Sequence, residues 1–189
     1  MGSPPPRTAK LVYRFDEGDA SMADLLGGKG SNLCEMTRLG LPVPPGFVIS
    51  TQVCRDYLAN GNTLPEGLEQ TIRAGIKEME EAIGHGFGSA SNPLLVSVRS
   101  GARVSMPGMM DTILNLGIND QIVEGLASMM GDARPAYDVY RRFLQIYSDV
   151  VLGVEPGLLE EALAEHKRRA GVELDYELTA EQLRSLVTD

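Results

Sequence analysis

Tryptophan is absent from the 189 residues, aromatic side chains of all kinds make up only 5 %, and cysteine and histidine occur twice each. Two thiols cannot build a disulfide framework. Cys34 and Cys54 each fall inside an apolar helical pattern, so both are expected as buried, inert thiols in a reducing compartment. Neither His85 nor His166 has Cys, Asp or Glu at a spacing that suggests a zinc site. No apolar run approaches the roughly 18 residues of a membrane helix, and the proline-rich start, Met1 to Lys10, has no apolar stretch of the kind a secretion signal needs. The chain is therefore expected to be cytoplasmic and unanchored, and its first six residues carry no fold information. Basic residues are in the minority, 17 against 26 acidic, for a net charge of -9. Nucleic acid and anionic membrane are thereby excluded as partners of the whole surface, and any anionic ligand has to be held locally. What the chain does have is 43 % hydrophobic and 23 % charged residues, the composition of a globular protein that buries roughly 70 % of its unfolded surface.

The patterning predicts an α+β chain. Lys10 to Phe15 reads as a short strand, and a helix is expected from Ser31 to Leu39 on Leu33, Met36 and Leu39, with Gly27-Gly28-Lys29-Gly30 immediately before it. Phe47 to Ser50 is a buried-strand candidate, and Thr51 is expected to cap a short helix that Gly61 ends. Pro65 opens a longer amphipathic helix on Leu68, Ile72, Ile76, Met79 and Ile83, closed by Gly84. Leu94 to Arg99 alternates, with Leu94, Val96 and Val98 on one face. After a loop over 100–111, Thr112 to Leu116 is the next strand candidate. Beyond Asn119 strand signals vanish. The stripe Ala136, Tyr140, Phe143, Tyr147 and Val150 predicts a helix from about Pro135 to Leu152, Pro156 starts another that Gly171 ends, and Thr179 with Gln182 forms a capping box. The expected division is a mixed α/β part over 8–118 and a helical part over 119–189, truncated at its C-terminus.

Two motifs carry anion chemistry. Gly27 to Ser31 combines glycines, Lys29 and a following helix, which suits phosphate binding, although it lacks the P-loop spacing and an ordinary tight connection reads the same way. Arg99 leaves a strand end into a glycine-containing loop, either as a ligand group or as a structural partner of a carboxylate. The loop itself, Ser105-Met106-Pro107-Gly108-Met109-Met110-Asp111-Thr112, spends apolar side chains where connections rarely do, unless the methionines fill the core. Gly84-His85-Gly86-Phe87-Gly88 follows a helix rather than a strand and reads as a loop, and Lys167, Arg168 and Arg169 read as a solvated helix end.

The string over 94–117, LLVSVRSGARVSMPGMMDTILNLG, together with LLGGKG over 25–30 and AYDVYRRF over 136–143, closely resembles the amino-terminal part of the pyruvate, phosphate dikinases, and the likeness covers nearly all of the chain after Lys10. Phosphoenolpyruvate synthases share the GGKG and SVRS cores, but their following loop is richer in acidic residues. The corresponding part of such a pyruvate, water dikinase is the alternative, and a stand-alone binding module without chemistry is another. The resemblance implies the first half of an ATP-grasp nucleotide-binding domain followed by a small helical subdomain. It implies ATP-phosphate contacts from Lys29 and Arg99, with Gly108 and Thr112 where related enzymes hold phosphate by loop backbone and hydroxyl. It further implies a parent enzyme, expected as a homo-oligomer, that uses Mg2+ with ATP and a phosphohistidine on a swivelling domain. The family is several times longer, so the phosphohistidine, the magnesium ligands and the adenine pocket are expected in its other domains. The chain alone is expected to hold no metal or tightly bound cofactor and to be inactive.

Overall fold

A computed structural model of the chain describes residues 10–101 and 112–188, in two compact units. Among the described residues one unit comprises 10–84 with 100 and 101, and the other comprises 85–99 with 112–188. The expected loop over 100–111, with Met106, Gly108, Met109 and Met110, lies outside the described residues from 102 onward.

In the first unit, strand β1 (Val12–Arg14) pairs antiparallel with β2 (Phe47–Ile49), Tyr13 opposite Val48. Three helices accompany this ribbon: α1 (Ala23–Arg38), α2 (Thr51–Ala59) and α3 (Leu68–Ile83). The core is small, built on Val12, Val53 and Leu68 with Leu11, Phe47 and Ile72 against it. Phe47 packs on α3 at Gly75, where a Cβ would come within 2.8 Å of its ring. Three local expectations are corrected. The first helix begins at Ala23, not Ser31, because Ala23 to Leu26 already form a helical turn with Leu26 buried. The cap position of α2 is Ser50; the Thr51 hydroxyl instead donates to the Asp24 carbonyl at 2.7 Å, tying α2 to the start of α1. Cys34 is fully buried, and burial pushes its thiol above the ordinary range, but Cys54 lies on an exposed face of α2.

In the second unit, β3 (Val96–Arg99) and β4 (Thr112–Leu116) form an antiparallel pair beside four helices: α4 (Asp120–Met130), α5 (Ala133–Val150), α6 (Pro156–Ala170) and α7 (Ala180–Thr188). The caps form as expected from sequence. The Asn119 side chain accepts from the N–H groups of Gln121 and Ile122, both at 3.0 Å, and Thr179 and Gln182 satisfy each other's backbone N–H groups. The aromatic stripe is the core: Ala136, Tyr137, Tyr140 and Phe143 are buried with Ile118, Ile122, Val123, Leu178 and Leu183. Leu95, Ile113 and Leu116 pack against this same cluster, which is why the hairpin belongs with the helices and the observed division falls after Gly84 rather than near 118. No helix among the described residues is long and apolar enough to cross a membrane.

Candidate functional site

Lys29 stands within α1, not in a turn ahead of it. The helix is interrupted at Gly27, whose φ of 70° and ψ of 164° are open essentially to glycine alone, and helical geometry resumes from Gly28. Lys29 therefore lies in the first turn after this break. Gly30 is required for a second reason: a Cβ there would meet the Val48 methyls at 2.9 and 3.0 Å, so the turn carrying Lys29 lies directly on β2. Ser31, buried, donates its hydroxyl to the Gly28 carbonyl at 3.2 Å.

Arg99 and Thr112 are brought together. They are directly opposite in the β3–β4 ladder and therefore share a face of the hairpin. Ile113, the next residue, packs on the helical core, so the Arg99 and Thr112 face is the one turned from that core. Arg99 itself is exposed. Lys29 belongs to the other compact unit.

Charge partners separate these two cations from the rest. Among the described residues Lys10, Arg14, Arg38, Arg73, Lys77, Arg141, Arg142, Lys167, Arg168, Arg169 and Arg184 pair with carboxylates, Arg55 donates to Gln52, and Arg134 donates to the carbonyls of Asp175 and Leu178. Lys29 and Arg99 have no such partner among the described residues. Lys167, expected as a solvated helix end, instead reaches Asp175 at 2.9 Å and holds that carboxyl below its ordinary range.

Other candidates do not converge on a site. A cavity of about 490 Å³ in the first unit is lined by Lys10, Arg14, Phe15, Phe47, Glu78 and Met79 among others, and its cations are committed to Glu17, Asp16 and Glu78. His85 and His166 each place Nδ1 about 3 Å from a backbone carbonyl, Pro93 at 3.1 Å and Ala162 at 3.0 Å. No group of three or more His, Cys, Asp or Glu able to hold a metal ion occurs among the described residues. Gly108 lies outside them. One residue escaped the sequence reading: Asn115, inside β4, has a φ of 60°. Its signal was present, since Asn is depleted in strands and tolerates the left-handed region.

Among the described residues of this α+β chain, Lys29 just after the break in α1 and Arg99 at the end of β3 are thus the cations without a partner, and the comparisons give the chain a family. The chain matches the model described as "Pyruvate phosphate dikinase, AMP/ATP-binding domain" in two overlapping stretches, residues 23–80 and 62–154, and it belongs to that family. It is 54 % identical over 184 residues to pyruvate, phosphate dikinase of Rhizobium meliloti (strain 1021), covering 95 % of this chain and 20 % of that protein. It is 53 % identical over 178 residues to the enzyme of the same name from Clostridium symbiosum, covering 94 % and 20 %. The rice protein named pyruvate, phosphate dikinase 1, chloroplastic, is 50 % identical over 191 residues, covering 99 % and 20 %. Each carries the phosphate-dikinase name rather than that of phosphoenolpyruvate synthase. The chain spans about a fifth of the length of these curated relatives.

Proposed function

We propose that this chain is the ATP-phosphate-binding portion of a pyruvate, phosphate dikinase, the first half of an ATP-grasp domain, in which Lys29, Arg99, Gly108 and Thr112 contact the phosphates of ATP. The parent enzyme interconverts ATP, pyruvate and phosphate with AMP, phosphoenolpyruvate and diphosphate through a phosphohistidine carried elsewhere. The observation that carries the reading is that, among the described residues, Lys29 and Arg99 are the cationic side chains left without a partner in a chain of net charge -9. An unpaired guanidinium offers a rigid, bidentate fork to phosphate oxygens, the ammonium adds a point charge, and the Thr112 hydroxyl supplies a further donor. Phosphoryl transfer asks little more of these residues than positioning and charge neutralisation. Mg2+ accompanies ATP in this reading, neutralising phosphate charge, and its carboxylate ligands come from other parts of the parent.

The test is made in the full-length dikinase. Arg99→Ala is expected to reduce ATP-dependent phosphorylation of the enzyme strongly while phosphoryl exchange with phosphoenolpyruvate stays near wild type, because the two half-reactions use separate sites. Lys29→Ala acts in the same direction and less severely, since an ammonium on a flexible stem is the less directional partner. Loss confined to the pyruvate half-reaction in both variants would overturn the assignment.

A further inference from the structure

The β3–β4 hairpin contains an irregularity that decides what Arg99 faces. Arg99 pairs with Thr112 and Val98 with Ile113, yet Val96 pairs with Leu116. Leu114 and Asn115 therefore stand together opposite Ser97, one residue more than a regular ladder allows, which is a β-bulge. Asn115 carries the backbone distortion, with its φ of 60°. Ile113 and Leu116 give the independent sign of the same device. Three residues apart, they would point to opposite faces of a regular strand, yet both pack on the helical core, and Leu114 between them is exposed.

We infer that Asn115 is a positioning residue for the phosphate-binding pair: its left-handed backbone holds the bulge whose register sets Thr112 opposite Arg99. The inference rests on the reading of Arg99 and Thr112 as ATP-phosphate contacts. If β4 continued without the bulge in the register that Val96 and Leu116 define, Arg99 would lie opposite Ile113. A one-residue slip exchanges the faces of the strand, so the Thr112 hydroxyl would turn away from the guanidinium and an isoleucine would take its place. Asn suits the position because its short amide side chain tolerates the left-handed region better than other residues with a Cβ. Glycine suits it better still. A role played by the amide itself would therefore be lost in Asn115→Gly and in Asn115→Ala alike, whereas a role played by the backbone is lost only in the second.

The experiment compares Asn115→Gly, Asn115→Ala and Arg99→Ala in the full-length dikinase, with the two half-reactions measured separately. Asn115→Gly is expected to keep ATP-dependent phosphorylation within about twofold of wild type. Asn115→Ala is expected to lower it about tenfold, the order of penalty that a left-handed backbone imposes on a residue with an ordinary side chain. An unchanged thermal melt shows that each variant is folded, and unchanged phosphoryl exchange with phosphoenolpyruvate confines the effect to the ATP half-reaction. A crystal structure of Asn115→Ala is expected to show Arg99 displaced from its place opposite Thr112. Equal loss in the glycine and alanine variants, or an alanine variant with wild-type rate and wild-type pairing, would overturn the inference. A wild-type ATP half-reaction in Arg99→Ala would overturn the phosphate reading instead, and the crystallographic pairing would still report on the bulge.

Discussion

Phe143 shows how much a single side chain contributes here. It is 8 % exposed within the helical core, and its ring lies 5.3 Å from that of Tyr147 at an interplanar angle of 33°. Removing a buried ring leaves both lost transfer energy and a cavity, about 3–5 kcal/mol in comparable cores. Because whole domains are stable by only about 5–15 kcal/mol, Phe143→Ala is expected to move the urea midpoint of the second unit far below wild type, and an unchanged midpoint would show that the ring is not a core element. Gly125 has the opposite requirement. A Cβ on it would lie 1.5 Å from the Ala90 carbonyl oxygen, so the loop after His85 rests directly on α4 and no larger residue fits without displacing it. Phe143 was legible in the sequence because its neighbours repeat at helical spacing, whereas Gly125 was not, because the atom it makes room for belongs to a loop 35 residues earlier.

At the scale of elements, α4 and α5 are joined by two phenols. Tyr140 donates to Asp120 at 2.8 Å, in the first turn of α4, and Tyr137 donates to Glu124 at 2.7 Å, where Arg184 of α7 also pairs. Burial, and then the hydrogen bond to Asp120, raise the Tyr140 hydroxyl from 10.0 to about 12. The folded state therefore favours the neutral phenol. Its contribution is whole below pH 10 and is lost as pH rises from 10 towards 12. Tyr140→Phe is expected to flatten the alkaline fall of the melting temperature across that interval, while lowering stability at neutral pH because the Asp120 carboxylate loses a donor. A wild-type alkaline slope in the variant would assign the effect to another group. The helices themselves were readable from their caps and stripes, while the phenol–carboxylate pairs were not, since they join residues 13 and 20 positions apart through the packing of two helices.

For the whole molecule the issue is where one cooperative unit ends and the next begins. Strand signals stop at Leu116, which placed the expected boundary near 118, but Leu95, Ile113 and Leu116 cover the helical core and draw the hairpin into the second unit. The polypeptide 85–189 is expected to fold with a cooperative thermal transition. The polypeptide 119–189, lacking Ile118 and the hairpin side chains, is expected to retain helix by circular dichroism but to melt broadly. Equal cooperativity in the two would return the boundary to the position the strand signals indicated. The proposed phosphate contacts belong to this scale too: in a chain of net charge -9, Lys29 and Arg99, which have no carboxylate partner among the described residues, are expected to bind phosphate locally and with an affinity that falls with added salt.

By itself the sequence determined the elements whose ends are satisfied within a few residues, such as the Asn119 cap, the Thr179–Gln182 box and the glycine stops at Gly84 and Gly171, and it carried the strings that place the chain in its family. It also singled out Lys29 and Arg99, because a cation set among glycines or at a strand end is a local feature. Tertiary structure alone decided that Arg99 faces Thr112, that Gly30 lies against Val48, that Cys54 is exposed, and that the hairpin joins the helices. Capping is settled by hydrogen bonds closed within one helical turn. Register, burial and unit boundaries are settled by packing against atoms supplied from distant parts of the chain, and the alternation of apolar residues within one segment carries no information about which of those atoms arrive.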